Sequence, residues 1–93
     1  MYRMVIADDE PIECRALERK IREAAPGIEL LPSVYDGMEL LKSVEKNRPD
    51  IAIVDINMPG LSGLEAIELL KIRKMNLKII INTAYMDFPY VQK

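Results

Sequence analysis

Four oxygen-bearing side chains stand at or just past the ends of short apolar runs. Asp8 and Asp9 follow residues 1–7, Asp55 ends residues 51–55, and Thr83 follows residues 78–82. Taken singly, the acids have ordinary explanations. Asp55 is a turn former ahead of the Pro59-Gly60 loop, and Asp8-Asp9-Glu10 before Pro11 is the acidic opening of a helix. Brought to one point, the three carboxylates would repel one another and need a cation or shifted pKa values. The chain has no His, and its one Cys, Cys14, reads as remote from the strand ends, so the ligands on offer are all oxygen. That donor set favours a hard cation, Mg²⁺ or Mn²⁺, which keeps several waters in its shell. Such a cation is half of a phosphoryl-transfer site, because it neutralises charge on the group in transit. Asp55, isolated from neighbouring acids, is the natural nucleophile for an aspartyl phosphate. Thr83 can donate its hydroxyl to a phosphoryl oxygen.

Those residues converge only if their strands all point the same way. Residues 1–7 read as a buried strand with Arg3 near its solvent end. Pro11 opens a helix with an apolar stripe of Ile12, Ala16, Leu17, Ile21 and Ala24, closed by Pro26-Gly27. Residues 28–34 read as a second strand, and Pro32 within it marks an edge or a bulge. Asp36 caps a second helix, Glu39 supplies the acidic half of a capping box, and Met38, Leu40, Leu41 and Val44 form the buried side. After a break at residues 47–50, residues 51–55 are almost wholly apolar and rich in β-branched side chains, which suits a strand buried on both faces. Ser62 with Glu65 is the clearest capping box; it opens a helix with Leu64, Ile67, Leu70 and either Ile72 or Met75 inward, ending at Asn76. Residues 78–82, centred on Ile79-Ile80-Ile81, form a fourth strand, and Asp87 with Pro89 marks the start of a last helix. This alternation predicts an α/β fold: a doubly wound parallel sheet with right-handed crossovers. All strand ends then fall on one edge, where open α/β sheets place their ligands.

Composition narrows the function classes. Ninety-three residues make one domain, and 13 Lys and Arg against 15 Asp and Glu leave a net charge of −2. That balance lacks the basic stripe of a nucleic-acid surface, so no direct nucleic-acid binding by this segment is expected. Cys14 has no partner for an internal disulfide and reads as a small apolar residue in a reducing compartment. No apolar run approaches the roughly 18 residues of a membrane span, and no signal-peptide pattern opens the sequence. A cytoplasmic location without membrane contact is expected.

The combination of motifs resembles the receiver domain of two-component response regulators. Asp8-Asp9 resembles that family's metal-binding acidic pair, and Asp55 resembles its phospho-accepting aspartate. Met58-Pro59 and Gly63 fall at the family's Asp-x-x-Met-Pro-x-x-x-Gly spacing, and Thr83-Ala84 resembles its switch hydroxyl followed by a small residue. The resemblance covers residues 1–93 and implies a flavodoxin-like (CheY-like) fold with strand order 2-1-3-4 and normally a fifth strand. It implies Mg²⁺ held by the side chains of Asp9 and Asp55, by Asp8 directly or through water, and by the backbone carbonyl of Asn57. It implies a phosphoryl group taken from a phosphohistidine on a sensor histidine kinase and slowly hydrolysed, which makes the chain a phosphoryl acceptor rather than an enzyme. Asn57 and Tyr85, each two residues beyond a site residue, would flank the attacking water: Asn57 to position it, Tyr85 to screen it.

Receivers carry a further Lys at the end of the fifth strand. None of Lys71, Lys74, Lys78 or Lys93 occupies such a place, so the chain is expected to be a receiver incomplete at its C-terminus, without the fifth strand and fifth helix. Two expectations follow. The switch would lack its usual read-out surface, and strand 78–82 would present an apolar edge that invites a dimer or an aggregate. The style of residues 8–18 and 85–93 is similar to receivers joined to AraC-type helix-turn-helix domains, so the expected output of a longer parent is DNA-binding transcription control. Readings from other classes fit less well. A haloacid-dehalogenase-type phosphohydrolase wants a second acid at position 57, which is Asn. A flavin or nucleotide module wants a Gly-rich or Ser/Thr-rich loop where Asp8-Asp9-Glu10 stands. The alternative closest in kind is a receiver-like interaction module that is never phosphorylated; it would have lost an acid or the Thr, and this chain keeps them all.

Overall fold

The computed structural model describes residues 1–56, 58, 63–73 and 76–82, without the side chain of residue 72. Thr83, Tyr85, Asn57, Ser62 and the helix expected near Asp87 lie outside the described residues. In chain order the elements are β1 (Arg3–Ala7), α1 (Pro11–Ala24), β2 (Glu29–Leu30), α2 (Gly37–Asn47), β3 (Ile51–Asp55), α3 (Gly63–Ile72) and β4 (Lys78–Asn82). The strands form one parallel sheet in the order β2-β1-β3-β4, as the alternation of elements predicts.

Strand periodicity sorts the core into two layers. Val5, Ala7, Ala52 and Val54 point to one face, where they meet Leu40, Leu41 and Val44 of α2 and Ala66, Ile67 and Leu70 of α3. Met4, Ile6 and Ile53 point to the other, against Cys14, Leu17 and Ile21 of α1. Successive side chains on a strand alternate in direction, so a run apolar at every position must be covered on both faces. Two helices, α2 and α3, cover one face, and α1 covers the other.

Local chemistry sets where α2 begins and ends. The Asp36 side chain accepts from the backbone N–H of Glu39 at 2.8 Å, and the Glu39 carboxylate accepts from the N–H of Tyr35 at 2.8 Å. The box is therefore reciprocal, but its return bond reaches one residue further back than the usual partner. Arg48 ends the helix in the left-handed region, with φ of 49°. At the amino edge of the sheet, Asp50 ties three strands. Its N–H donates to Arg3 O, its side chain accepts from Arg3 N–H, and its carbonyl accepts from Lys78 N–H.

Several expected inward residues point out. In α1 the inward stripe is the buried Cys14 with the half-buried Leu17 and Ile21, while Ile12, Ala16 and Ala24 are exposed. Met38 and Leu64 are exposed as well. Ile12, Met38 and Leu64 share one cause, since each is the second residue of its helix. In each helix it is the neighbours in the first turn, Cys14 in α1, Gly37 and Leu40 in α2, Gly63 and Ala66 in α3, that turn inward. The second strand is shorter than expected: β2 proper holds two residues, and Val34 returns only as an isolated bridge to Ala7 beyond Pro32. Proline has no N–H to give the ladder, which accounts for the gap.

Candidate functional site

Register brings the acids together. Ala7 pairs with Val54, so the next rung sets Asp8 beside Asp55, and Asp55 itself pairs with Asn82 on β4. The carboxylates of Asp8, Asp9 and Asp55 offer oxygens that all lie within 4.8 Å of one another. They come from two adjacent strand ends, as the sequence pattern requires.

Asp8 is the buried member at 5% exposure, Asp55 is half-buried and Asp9 is exposed. The Asp8 backbone is held by its N–H, which donates to Val34 O at 3.0 Å, and its Oδ1 accepts from the N–H of Glu10 at 2.9 Å. Burial raises the Asp8 carboxyl above its ordinary pKa; the bond from Glu10 opposes this, and the charges of Asp55, Asp9 and Glu13 add to the rise. A carboxylate destabilised by desolvation and by like charges is one that a cation would stabilise. The donor set is all oxygen, clustered and partly open to water. It fits a hard divalent cation bound through one or two carboxylates with waters completing the shell.

Two features of the site were not legible in the motifs. Cys14 proves not to be remote from the strand ends. Its thiol donates to the backbone carbonyl of Asp8 at 3.5 Å, and burial first, then the charge of Asp8, push the thiol pKa up. It therefore stays a protonated thiol packed behind the site rather than a thiolate ligand, and it packs with Met4, Ile6 and Ile53 as the small apolar residue expected. The second feature is the anchoring of the loop after Asp55. Ile56 and Met58 are both buried, Met58 within the α2 and α3 layer. An apolar residue on each side of position 57 is the only sequence signal for that anchoring.

The family model for the response regulator receiver domain matches residues 4–93. The chain belongs to that family. This receiver domain is 36% identical over 88 residues to an uncharacterized response regulatory protein of Vibrio cholerae, covering 94% of the chain and 33% of that relative. It is 33% identical to the DNA-binding transcriptional activator EvgA of Escherichia coli over 92% of the chain and 41% of the activator. Among solved structures it is similar to a LuxR-family DNA-binding response regulator from Staphylococcus aureus, with a TM-score of 0.88, 28% identity, and coverage of 99% of this chain and 76% of that one. The sheet order and helix placement are thus those of the flavodoxin-like receiver fold. The receiver spans between about a third and two fifths of the length of these two curated relatives. Among the described residues, no helix is long and apolar enough to cross a membrane.

Proposed function

We propose that this receiver accepts a phosphoryl group on Asp55 from a phosphohistidine of a sensor histidine kinase, in a Mg²⁺-dependent reaction. The observation that carries the proposal is the convergence of Asp8, Asp9 and Asp55 within 4.8 Å at the carboxyl edge of the sheet. In the transfer, a carboxylate oxygen of Asp55 forms the new P–O bond, the P–N bond of the donor breaks, and the imidazole leaves with the bonding pair. Asp8, Asp9, Asp55 and the backbone carbonyl of Asn57 are the proposed ligands of Mg²⁺, with Mn²⁺ as a substitute. When bound, the cation supplies charge neutralisation for the transferring group. Asp8 is held by its bonds to Val34 and Glu10, so its carboxylate meets the incoming charge without rearranging. Thr83 is the proposed hydroxyl donor to the phosphoryl group. Turnover is limited to slow self-dephosphorylation, with Asn57 and Tyr85 beside the attacking water.

The proposed setting is a cytoplasmic transcriptional regulator, whose output domain binds DNA; similarity to the activator EvgA and to the LuxR-family regulator supports it. For the receiver segment itself we propose pairing with a second copy through the outer edge of β4. Ile80 and Ile81, adjacent on that strand and therefore on opposite faces, are 43% and 53% exposed. An exposed apolar edge is a template for strand pairing.

The test is intact mass after incubation with acetyl phosphate and Mg²⁺, beside an Asp55→Asn control. One added phosphoryl group, dependent on Mg²⁺ and absent from the control, is expected. Absence of the adduct, both here and after incubation with a phosphorylated kinase, would leave the non-phosphorylated interaction module as the function.

A further inference from the structure

Glycine at position 63 has a steric reason in this fold. Gly63 is the first residue of α3, and a methyl group on its Cα would lie 2.2 Å from the backbone carbonyl oxygen of Asp55. The same methyl would lie 2.8 Å from Cα of Ile56 and 3.0 Å from the carbonyl carbon of Asp55. All three contacts are with backbone, so no rotamer change can relieve them. The start of α3 thus rests directly on the peptide that joins the aspartate to the loop. Gly27, by contrast, has nothing within 4 Å of the corresponding position, so its glycine answers no such crowding.

α3 is itself fixed from below, because Ala66, Ile67 and Leu70 are buried against the sheet. The peptide is fixed on its far side by β3, which pairs Asp55 with Asn82 and Val54 with Ala7. Interiors packed at crystal-like density transmit such a displacement rather than absorb it. An ordinary contact begins near 3.4 Å, so a single added carbon obliges the Asp55 peptide and α3 to separate by about 1 Å. The carboxylate of Asp55 rides on that peptide, and cation sites tolerate shifts of only about 0.2 Å in ligand distance.

Resting on the reading of Asp55 as phospho-acceptor and cation ligand, we propose that Gly63 is a positioning residue. By its lack of a side chain it lets α3 seat the Asp55 peptide where the carboxylate can share a cation with Asp8 and Asp9. Gly63 acts through Asp55 and touches no ligand.

The test compares Gly63→Ala with Ile67→Val and Leu70→Ala, two changes on the same helix that cost stability without touching the Asp55 peptide. Each protein is titrated with Mn²⁺ by electron paramagnetic resonance and unfolded in urea, with the osmolyte trimethylamine N-oxide added where a variant needs help to fold. Loss of a supporting contact at a metal site weakens affinity by about 10-fold to 100-fold. Gly63→Ala is expected to lose at least about tenfold in Mn²⁺ affinity while folded, and the two controls to bind within about twofold of the parent. A folded Gly63→Ala that binds Mn²⁺ like the controls overturns the proposal. If Gly63→Ala does not fold even with the osmolyte, hydrogen exchange on the parent decides. Mn²⁺ must then slow exchange in α3 more than in α2, which follows none of the three acids, and equal slowing overturns the proposal. A parent that binds no Mn²⁺ refutes the cation-site reading of the acids itself, and the role of Gly63 with it.

Discussion

Replacing Asp8 by Asn is expected to stabilise the chain in the presence of a chelator, and to remove its response to divalent cations. Asp8 is buried, and its carboxylate lies within 4.8 Å of those of Asp9 and Asp55. At that separation, Coulomb's law gives about 3.5 kcal/mol per like-charged pair at an effective dielectric of about 20, and about 0.9 kcal/mol in water. Asp9 is exposed and Asp55 half-buried, so solvent screens both pairs toward the lower figure. Neutralising Asp8 should therefore return about 1–3 kcal/mol at neutral pH. The amide oxygen of Asn can still accept from Glu10 N–H, now at 2.9 Å, so the local turn keeps its bond. In a domain of this size each kcal/mol moves Tm by about 4–8 °C, which predicts a rise of about 4 °C or more. The assay is thermal unfolding by circular dichroism at neutral pH, with EDTA and then with Mg²⁺. The parent should gain about 2.7 kcal/mol at a cation concentration 100 times its Kd, and the variant much less at the same concentration. A variant that melts below the parent in EDTA, or that gains as much from Mg²⁺, would refute the charge-repulsion account of the site.

The raised Asp8 carboxyl also sets a pH dependence in chelator. The folded chain holds that proton more tightly than the unfolded chain does. The stability it contributes is therefore fully present below the ordinary carboxylate range and is lost as pH rises through the raised folded value. Urea unfolding of parent and Asp8→Asn in EDTA should thus show the variant's advantage growing with pH through that window; an advantage that shrinks has the wrong sign. Asp36→Ala removes the bond to Glu39 N–H that opens α2 and should cost about 1 kcal/mol, read from the urea midpoint at unchanged slope. Ile81→Lys should turn a dimeric receiver into a monomer by light scattering at micromolar concentration, since a charged edge blocks strand pairing; a parent that is already monomeric there rules out the β4 contact.

Much of this protein follows from the order of its residues alone. Alternating strand and helix patterns determine a parallel sheet, because crossover connections leave little other choice. The residue just past each apolar run must then lie on one edge, which is why Asp8, Asp9 and Asp55 were identifiable as one cluster without coordinates. Asp36 and Glu39 announced their capping interaction because a cap is a bond between neighbours in sequence. Tertiary structure decided what depends on how far one element reaches along another. Periodicity assigns Met38 and Leu64 to an apolar face, but the way α2 and α3 sit on the sheet turns the neighbouring Gly37 and Gly63 inward and leaves both side chains exposed. The nearness of Cys14 to Asp8 depends on how α1 turns back over β1, a rotation that an inward stripe with Ile12, Ala16 and Ala24 misplaced while Leu17 and Ile21 fell on the correct face. Gly63 marks a motif in the sequence. Its contact with the Asp55 peptide spans a loop and two layers, and exists only because the sheet and α3 are packed to within a methyl group of each other.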